Sequence, residues 1–541
     1  MTDSVVASSA AERPGPTLRG YALVGADLVI GAEGQNSYGS VPAGGDGAYA
    51  SIQENGSGGL VIGTDVSGYG RVYLYRSDDN WAVGTSLMEL ADYAYEKGWQ
   101  LTVDRVQVQS FLLGSRKRKP HLITPGMITQ QIVSRETVFR EVTLLLPEEE
   151  VHVEGAGTPR ATVVKRAERQ SSEDYADVLQ AGLREMVARL RTMLESDLVI
   201  RSDITGGRDS RAILAGLVAA NPSDRHIGDI AYFRSGVHVE SDWKIVEPLS
   251  RKYGLEVNRP TPAPPARVDA ETGYTAWRRN DLGVYAPLYP VTSYFGGISL
   301  TGAAGGVHRR VYADQTLERN ILARKTDSVS SDDIAELARR AKRTVDEADY
   351  DIDDNLAHFR LFRNRFHGGR GALRSLSVAP LSSKLLQHAS NLLSAEHLDR
   401  AQFFADVMLN LHPELAAEPY DSPSKGWDDL HRDELTRVSV GDPEPGQVHG
   451  SVSSAFPGSG SSGRRALDPY CDEFDRLAGR VISSGVLPAE YVYSAGLELH
   501  SSREPGLSHA INGAPISTVL LVGQALEMER SRSSKSRRTK K

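Results

Sequence analysis

Cysteine is almost missing from this chain: Cys471 stands alone among 541 residues. That excludes a disulfide within the chain and any metal cluster built on cysteines. Long apolar runs are missing as well. The longest candidate, residues 516–526, falls well short of the roughly 18 to 20 residues that span a bilayer, so no membrane partner is expected. Positive charge is not in excess. Lys and Arg number 62 against 70 Asp and Glu, a net charge of -8, which gives no electrostatic ground for a nucleic-acid partner. The exception is the Ser/Lys/Arg-rich end, residues 529–541, which reads as a disordered basic tail. The first residues lack the basic start and apolar stretch of a secretory signal. These absences together predict a cytoplasmic chain.

What is present is an ordinary globular balance, with 40% hydrophobic and 24% charged residues, over a length that exceeds one hydrophobic core. Residues 1–17 are small and polar, with Pro14 and Pro16, and are expected to be disordered. Residues 18–154 carry short β-like runs at hairpin spacing, among them 47–52, 59–63 and 71–76, with a helix at 86–97; they predict a β-rich, sandwich-like domain. Residues 155–440 change character. An apolar stripe at three- and four-residue steps predicts a helix over 172–195. Strands at 198–202, 226–233 and 297–300 then alternate with helices at 210–220 and 242–253, which predicts an α/β fold with a parallel sheet. From 328 to 435 the pattern is mainly helical. Residues 441–465, rich in Gly, Ser and Pro, read as a linker or insertion. Residues 466–528 form a helical C-terminal segment.

One segment carries chemistry. Residues 198–217, LVIRSDITGGRDSRAILAGL, run from an apolar strand through Thr205-Gly206-Gly207-Arg208-Asp209-Ser210 straight into a helix. Two glycines permit a tight turn and admit a ligand where a Cβ would stand. Backbone N–H groups and the positive end of the following helix attract an anion, and Thr205 and Ser210 add hydroxyl donors. The pattern is that of a phosphate cradle. A plain connection, in which Gly-Gly turns the chain and Asp-Ser caps the helix, accounts for the glycines but not for the whole series. Asp209 beside a polyphosphate calls for a cation, which assigns it to Mg2+. No Gly-Lys-Ser/Thr follows, so the loop is not of Walker type.

TGGRDSR resembles the SGGxDS(S) pyrophosphate loop of the ATP-pyrophosphatase enzymes, and its flanks are similar to the asparagine synthetase family. A second strand through Phe233 leads to Glu240-Ser241-Asp242-Trp243. Thr301-Gly302-Ala303-Ala304-Gly305-Gly306 stands where that family has SGxGxDE. Pro423-Ser424-Lys425-Gly426-Trp427 resembles the late loop that brings a lysine to the reacting centre. Residues 45–49, 64–68 and 143–153 look like parts of the family's glutaminase domain. The resemblance implies an N-terminal Ntn-hydrolase-like domain, then a Rossmann-like adenylating domain with a helical C-terminal part. It implies ATP and Mg2+ as cofactors, with the nucleotide at Thr205, Gly206, Gly207, Asp209, Ser210, Phe233, Thr301 and Gly302, and the metal at Asp209. Catalytic charge would come from Lys425, with Arg208 and Arg211 as further candidates. In the implied reaction a small-molecule or peptide carboxylate attacks the α-phosphate, pyrophosphate leaves, and an amine displaces AMP to form an amide.

The chain departs from the family in two places. Thr2 stands where the family's glutaminase has its cysteine nucleophile, so no glutamine-derived ammonia is expected. The amine would come from elsewhere, as in the family's β-lactam synthetases and lasso-peptide cyclases. Gly306 and Val307 stand where the second loop has its two acids. Metal binding would then rest on Asp209 with help from Asp203, Asp242 or water, and His308, Arg309 and Arg310 are candidates to replace part of its charge. Two readings follow: an ATP-dependent amide ligase without glutaminase activity, or a catalytically degenerate nucleotide-binding pseudoenzyme. The sequence leaves a homo-oligomer open.

Overall fold

In a computed structural model, the structure describes residues 5–10, 15–56, 58–113, 132–154, 160–166, 173–221, 225–236, 239–262, 266–280, 290–369, 375–455, 464–502 and 513–529. Thr2 and all but the first residue of the basic tail lie outside these. The chain is mixed α/β, with both antiparallel and parallel sheets.

The N-terminal part contributes β1 (Val5–Ser8), β2 (Thr17–Val24), β3 (Asp27–Ile30), β4 (Asp46–Glu54), β5 (Leu60–Thr64), β6 (Tyr73–Ser77), β7 (Asn80–Gly84), β8 (Val142–Leu144), β9 (Glu149–Val153) and β10 (Ala161–Lys165). They form two sheets, ordered β1-β7-β6-β8 and β10-β9-β5-β4-β2-β3. Alternation of side chains decides what each face does. Ala50, Ile52, Leu60 and Ile62 join Leu74, Trp81 and Val83 in one core between the sheets. Tyr73 and Tyr75, on the other side of β6, pack with Leu87 and Leu90 of the Leu87–Glu96 helix. Tyr21 and Ile30 face the apolar stripe of the Tyr175–Glu195 helix, where Val178, Leu183, Met186 and Leu190 are buried.

Two expectations are corrected here. Residues 5–8 form a strand and not a disordered leader. Val5 pairs with Gly84 and Ser8 with Ala82, and Val6 is fully buried, because a short apolar run completes a sheet edge whatever the polarity of its surroundings. The Gly/Ser/Pro-rich stretch is in part docked. β16 (Val448–His449) pairs in parallel with β3 as the seventh strand of the second sheet. Glycines make that approach feasible: a Cβ on Gly446 would crowd Ala26 and Asp27, and one on Gly34 would meet the His449 carbonyl at 2.5 Å.

The second part is built on β11 (Ile200–Asp203), β12 (Tyr232–Arg234), β14 (Ser293–Leu300) and β15 (Ser375–Val378), all parallel, in the order β12-β11-β14-β15; the short β13 (Ala266–Arg267) lies antiparallel to β14. The strand expected over 226–233 is broken by a helical turn at Ile227–Ile230, and β15 lies inside the stretch expected to be helical. β11 is central. The chain leaves it for β12 on one side and returns to β14 on the other, and the crevice of an open parallel sheet lies beyond the strand ends at such a reversal. Three helices, Asp468–Ser484, Ala489–Ser501 and Gly513–Met528, pack together at the C-terminus. No helix among the described residues is long and apolar enough to cross a membrane.

Candidate functional site

The loop after β11 turns on hydroxyls and glycines. Ser210 Oγ accepts from the Thr205 N–H at 3.0 Å and lies 2.9 Å from Thr205 Oγ1, which in turn accepts from the Gly207 N–H at 3.2 Å. The Arg208–Ala220 helix then starts with no side chain capping it, at Gly207 with φ -85° and ψ 168°. Any residue tolerates that backbone, so conformation does not explain Gly207. Packing does not explain it either: a Cβ there would meet only Thr205 Oγ1, at 3.4 Å, so the position has room in front of it that the protein does not fill. Gly206 is different. Its N–H donates to Asp242 Oδ1 at 3.1 Å, its carbonyl accepts from the Asp421 N–H at 3.1 Å, and a Cβ would stand 2.6 Å from Asp421 Cβ.

The second loop, residues 301–306, leaves β14 beside the first. Thr301 N–H donates to Val378 O at 2.9 Å, and Thr301 Oγ1 accepts from the Ala303 N–H at 3.2 Å. Gly302 and Gly305 back directly onto Asp209: a Cβ on Gly302 would touch Asp209 Cβ at 3.0 Å, and one on Gly305 would overlap its carboxylate. Ala304 between them holds φ 73°, a left-handed conformation that costs a non-glycine residue on the order of 1 kcal/mol. The sequence suggests a loop without the two acids; the structure packs one of those positions against an aromatic ring and buries the other. A Cβ on Gly306 would overlap the Phe359 ring, and Val307 is fully buried. His308 is also corrected as a source of charge. It is fully buried, stacks on Phe403 with ring centroids 4.0 Å apart, and bonds Ser390 Oγ and Leu381 O. Burial pushes its pKa down to about 3.

The cations sort by what they already hold. Arg211, fully buried, donates to the Glu418 and Pro419 carbonyls at 2.7 Å each and lies 3.9 Å over the Tyr420 ring. Arg208 donates to the Ser424 and Lys425 carbonyls at 2.9 and 2.8 Å and lies 4.4 Å over Trp427. Both guanidiniums therefore fasten residues 418–427 to the start of the helix. Lys425 Nζ reaches Asp421 Oδ2 at 2.7 Å. Arg310 pairs with Asp314 and Asp399. Arg309, one-third exposed, stands 3.7 Å from Asp209 Oδ2. Phe233 is buried in β12, its carbonyl bonded to the Asn258 N–H at 2.7 Å, so its ring belongs to the core.

Asp209 is the meeting point. Burial raises its pKa, and Arg309, Lys425 and Arg208 pull it back down. Its Oδ1 is buried with no hydrogen-bond partner, as is Asp421 Oδ1. The carboxylates that would complete a Mg2+ site with Asp209 are engaged elsewhere: Asp203 with Arg234 at 2.8 Å, Asp242 with Gly206, Asp421 with Lys425. Among the described residues no group of three or more His, Cys, Asp or Glu side chains is placed to hold a metal ion. Asp209 and Asp421 thus each keep one buried acceptor oxygen free, and the described residues bring no third ligand to them. Asp421 is not among the candidates that the sequence singles out; its one signal there is its place four residues before Lys425 on a tight turn. Comparison with protein-family models and with curated proteins finds no match for this chain, so the geometry of these two loops carries the functional reading.

Proposed function

We propose that this chain binds ATP across residues 205–210 and uses it as an amide ligase of asparagine synthetase type. A substrate carboxylate attacks the α-phosphate, pyrophosphate leaves, and an amine from a source other than glutamine displaces AMP. On this reading the parallel-sheet part is the Rossmann-like adenylating domain and the two-sheet part a degenerate glutaminase-like domain. The observation that carries it is the open face of Gly207 at an uncapped helix start, set where the strand order reverses. The first N–H groups of a helix have no partner within it, and a helix start at such a point is where a polyphosphate gains most from the helix field. Thr205 and Ser210 supply hydroxyls, and Lys425 and Arg309 supply charge to the departing pyrophosphate. Arg208 and Arg211 act through the segment they hold and do not touch the nucleotide.

A second reading, a nucleotide-binding protein without turnover, is favoured by the packing of Gly306 against Phe359 and the burial of Val307. One experiment separates them. ATP binding is measured by calorimetry, and exchange of labelled pyrophosphate into ATP is followed with pools of small carboxylic acids and peptides. Binding with exchange supports the ligase, binding without exchange the second reading. No binding defeats both.

A further inference from the structure

The geometry points to Arg309 as a built-in replacement for the divalent cation, so that this site takes the polyphosphate of a nucleotide free of metal. The inference rests on the nucleotide-binding reading above. Its ground is the mismatch between Asp209 and a metal site. A Mg2+ ion on Asp209 would sit at about 2.0–2.1 Å from a carboxylate oxygen in octahedral surroundings. One side of the carboxylate packs against Gly302 and Gly305, and on its partly exposed side the Arg309 guanidinium stands 3.7 Å from Oδ2. Two cations in that space repel each other, and only one of them is tethered to the protein.

Arg309 is held where a bridging charge is needed. It follows His308, whose fully buried ring is bonded to Ser390 and Leu381 and stacked on Phe403, so the backbone entering Arg309 is anchored. Its guanidinium lies 5.9 Å from the Phe404 ring centroid, which supports its face. A guanidinium has five donors in a planar fork, enough to hold a carboxylate on one edge and a phosphate on the other. The positions from which the second loop would contribute metal ligands are Gly306 against Phe359 and the buried Val307. The substitution is therefore coherent: the acids that would hold the metal are gone, and a fixed positive charge stands beside the acid that remains.

The test is calorimetric titration of the full chain with ATP, once in excess EDTA and once in Mg2+. The expected result is affinity equal within about twofold in the two buffers. Arg309→Gln is expected to weaken binding in EDTA by about tenfold or more, the scale of a charge-assisted contact, with Mg2+ restoring most of it because Asp209 is released. Arg309→Lys, which keeps the charge, retains part of the metal-free affinity, and Asp209→Asn retains it fully because it frees the guanidinium. Thermal melting checks that each variant folds; if Arg309→Gln does not, the lysine and asparagine variants decide. ATP binding that requires Mg2+ and disappears in Asp209→Asn overturns the inference while leaving the nucleotide site intact. Absence of binding in both buffers overturns the nucleotide site itself.

Discussion

Arg211 is where the structure and the family resemblance assign different work, and replacing it by Met decides between them. The change removes two donors from the part-buried carbonyls of Glu418 and Pro419 and a guanidinium from the face of Tyr420. Each of these part-buried carbonyls, left without its donor, costs about 1–1.5 kcal/mol, and the lost cation–π contact about 1–2 kcal/mol. The variant also sheds a buried charge whose Nε has no hydrogen-bond partner, a relief of about 1 kcal/mol. The net loss is about 2–4 kcal/mol, confined to the attachment of residues 418–427. Hydrogen–deuterium exchange resolved by peptide is the suitable assay, because the opening is local. Amides of that segment are expected to exchange roughly thirty to a thousand times faster, with the N-terminal sheets unchanged. Arg211→Lys fails nearly as badly, since one ammonium cannot serve both carbonyls and the ring. Normal protection of the segment, combined with a specific loss of pyrophosphate exchange, would refute the reasoning and return Arg211 to the substrate.

Other outcomes follow from neighbouring positions. Gly207→Val folds normally, its backbone being ordinary, and abolishes ATP binding in calorimetry; unchanged affinity would show that no phosphate approaches there. Gly306→Asp, which introduces the acid of the family that the sequence resembles, gains no Mg2+ affinity and loses about 2–5 kcal/mol in urea unfolding, because the side chain collides with Phe359 and its charge is partly desolvated. His308, with its folded pKa near 3, stays neutral while the unfolded chain binds a proton below about 6.5. Its share of stability is therefore complete above that pH and falls as pH drops toward 3, by about 1.4 kcal/mol per unit. His308→Gln should flatten that part of the pH–stability curve relative to the parent, and an unaltered slope would count against burial of the neutral ring. In an active ligase, Lys425→Ala lowers pyrophosphate exchange by roughly two to three powers of ten with little change in ATP affinity.

Local pattern made much of this legible. The Tyr175–Glu195 helix, β11 and the Arg208–Ala220 helix fall within a few residues of where periodicity and glycine placement put them, because their signals are contiguous. The Ser/Gly turn was readable for the same reason. What was hidden depends on contacts distant in sequence. β15 is four residues, SLSV, with too little apolar character to declare itself, and it becomes a strand only because β14 offers a parallel edge. Val5–Ser8 and Val448–His449 are strands by the same rule. At the site, the glycines of the second loop were visible, but not that Gly302 and Gly305 exist to admit Asp209. Arg208 and Arg211 read as reactive charges because sequence shows formal charge without showing which carbonyls it is spent on.

The pairing of β16 with β3 also orders events in time. Gln447 N–H meets Asp27 Oδ1 across 420 positions of sequence. At synthesis rates of about 5–20 residues per second, roughly 20 to 80 seconds separate the emergence of the two partners from the ribosome. Throughout that interval the outer edge of β3 lacks its neighbour and presents unpaired N–H and C=O groups, a template for strands of other nascent chains. The first sheet to be made is thus among the last to be finished, and chaperone demand should track the arrival of residues 446–450.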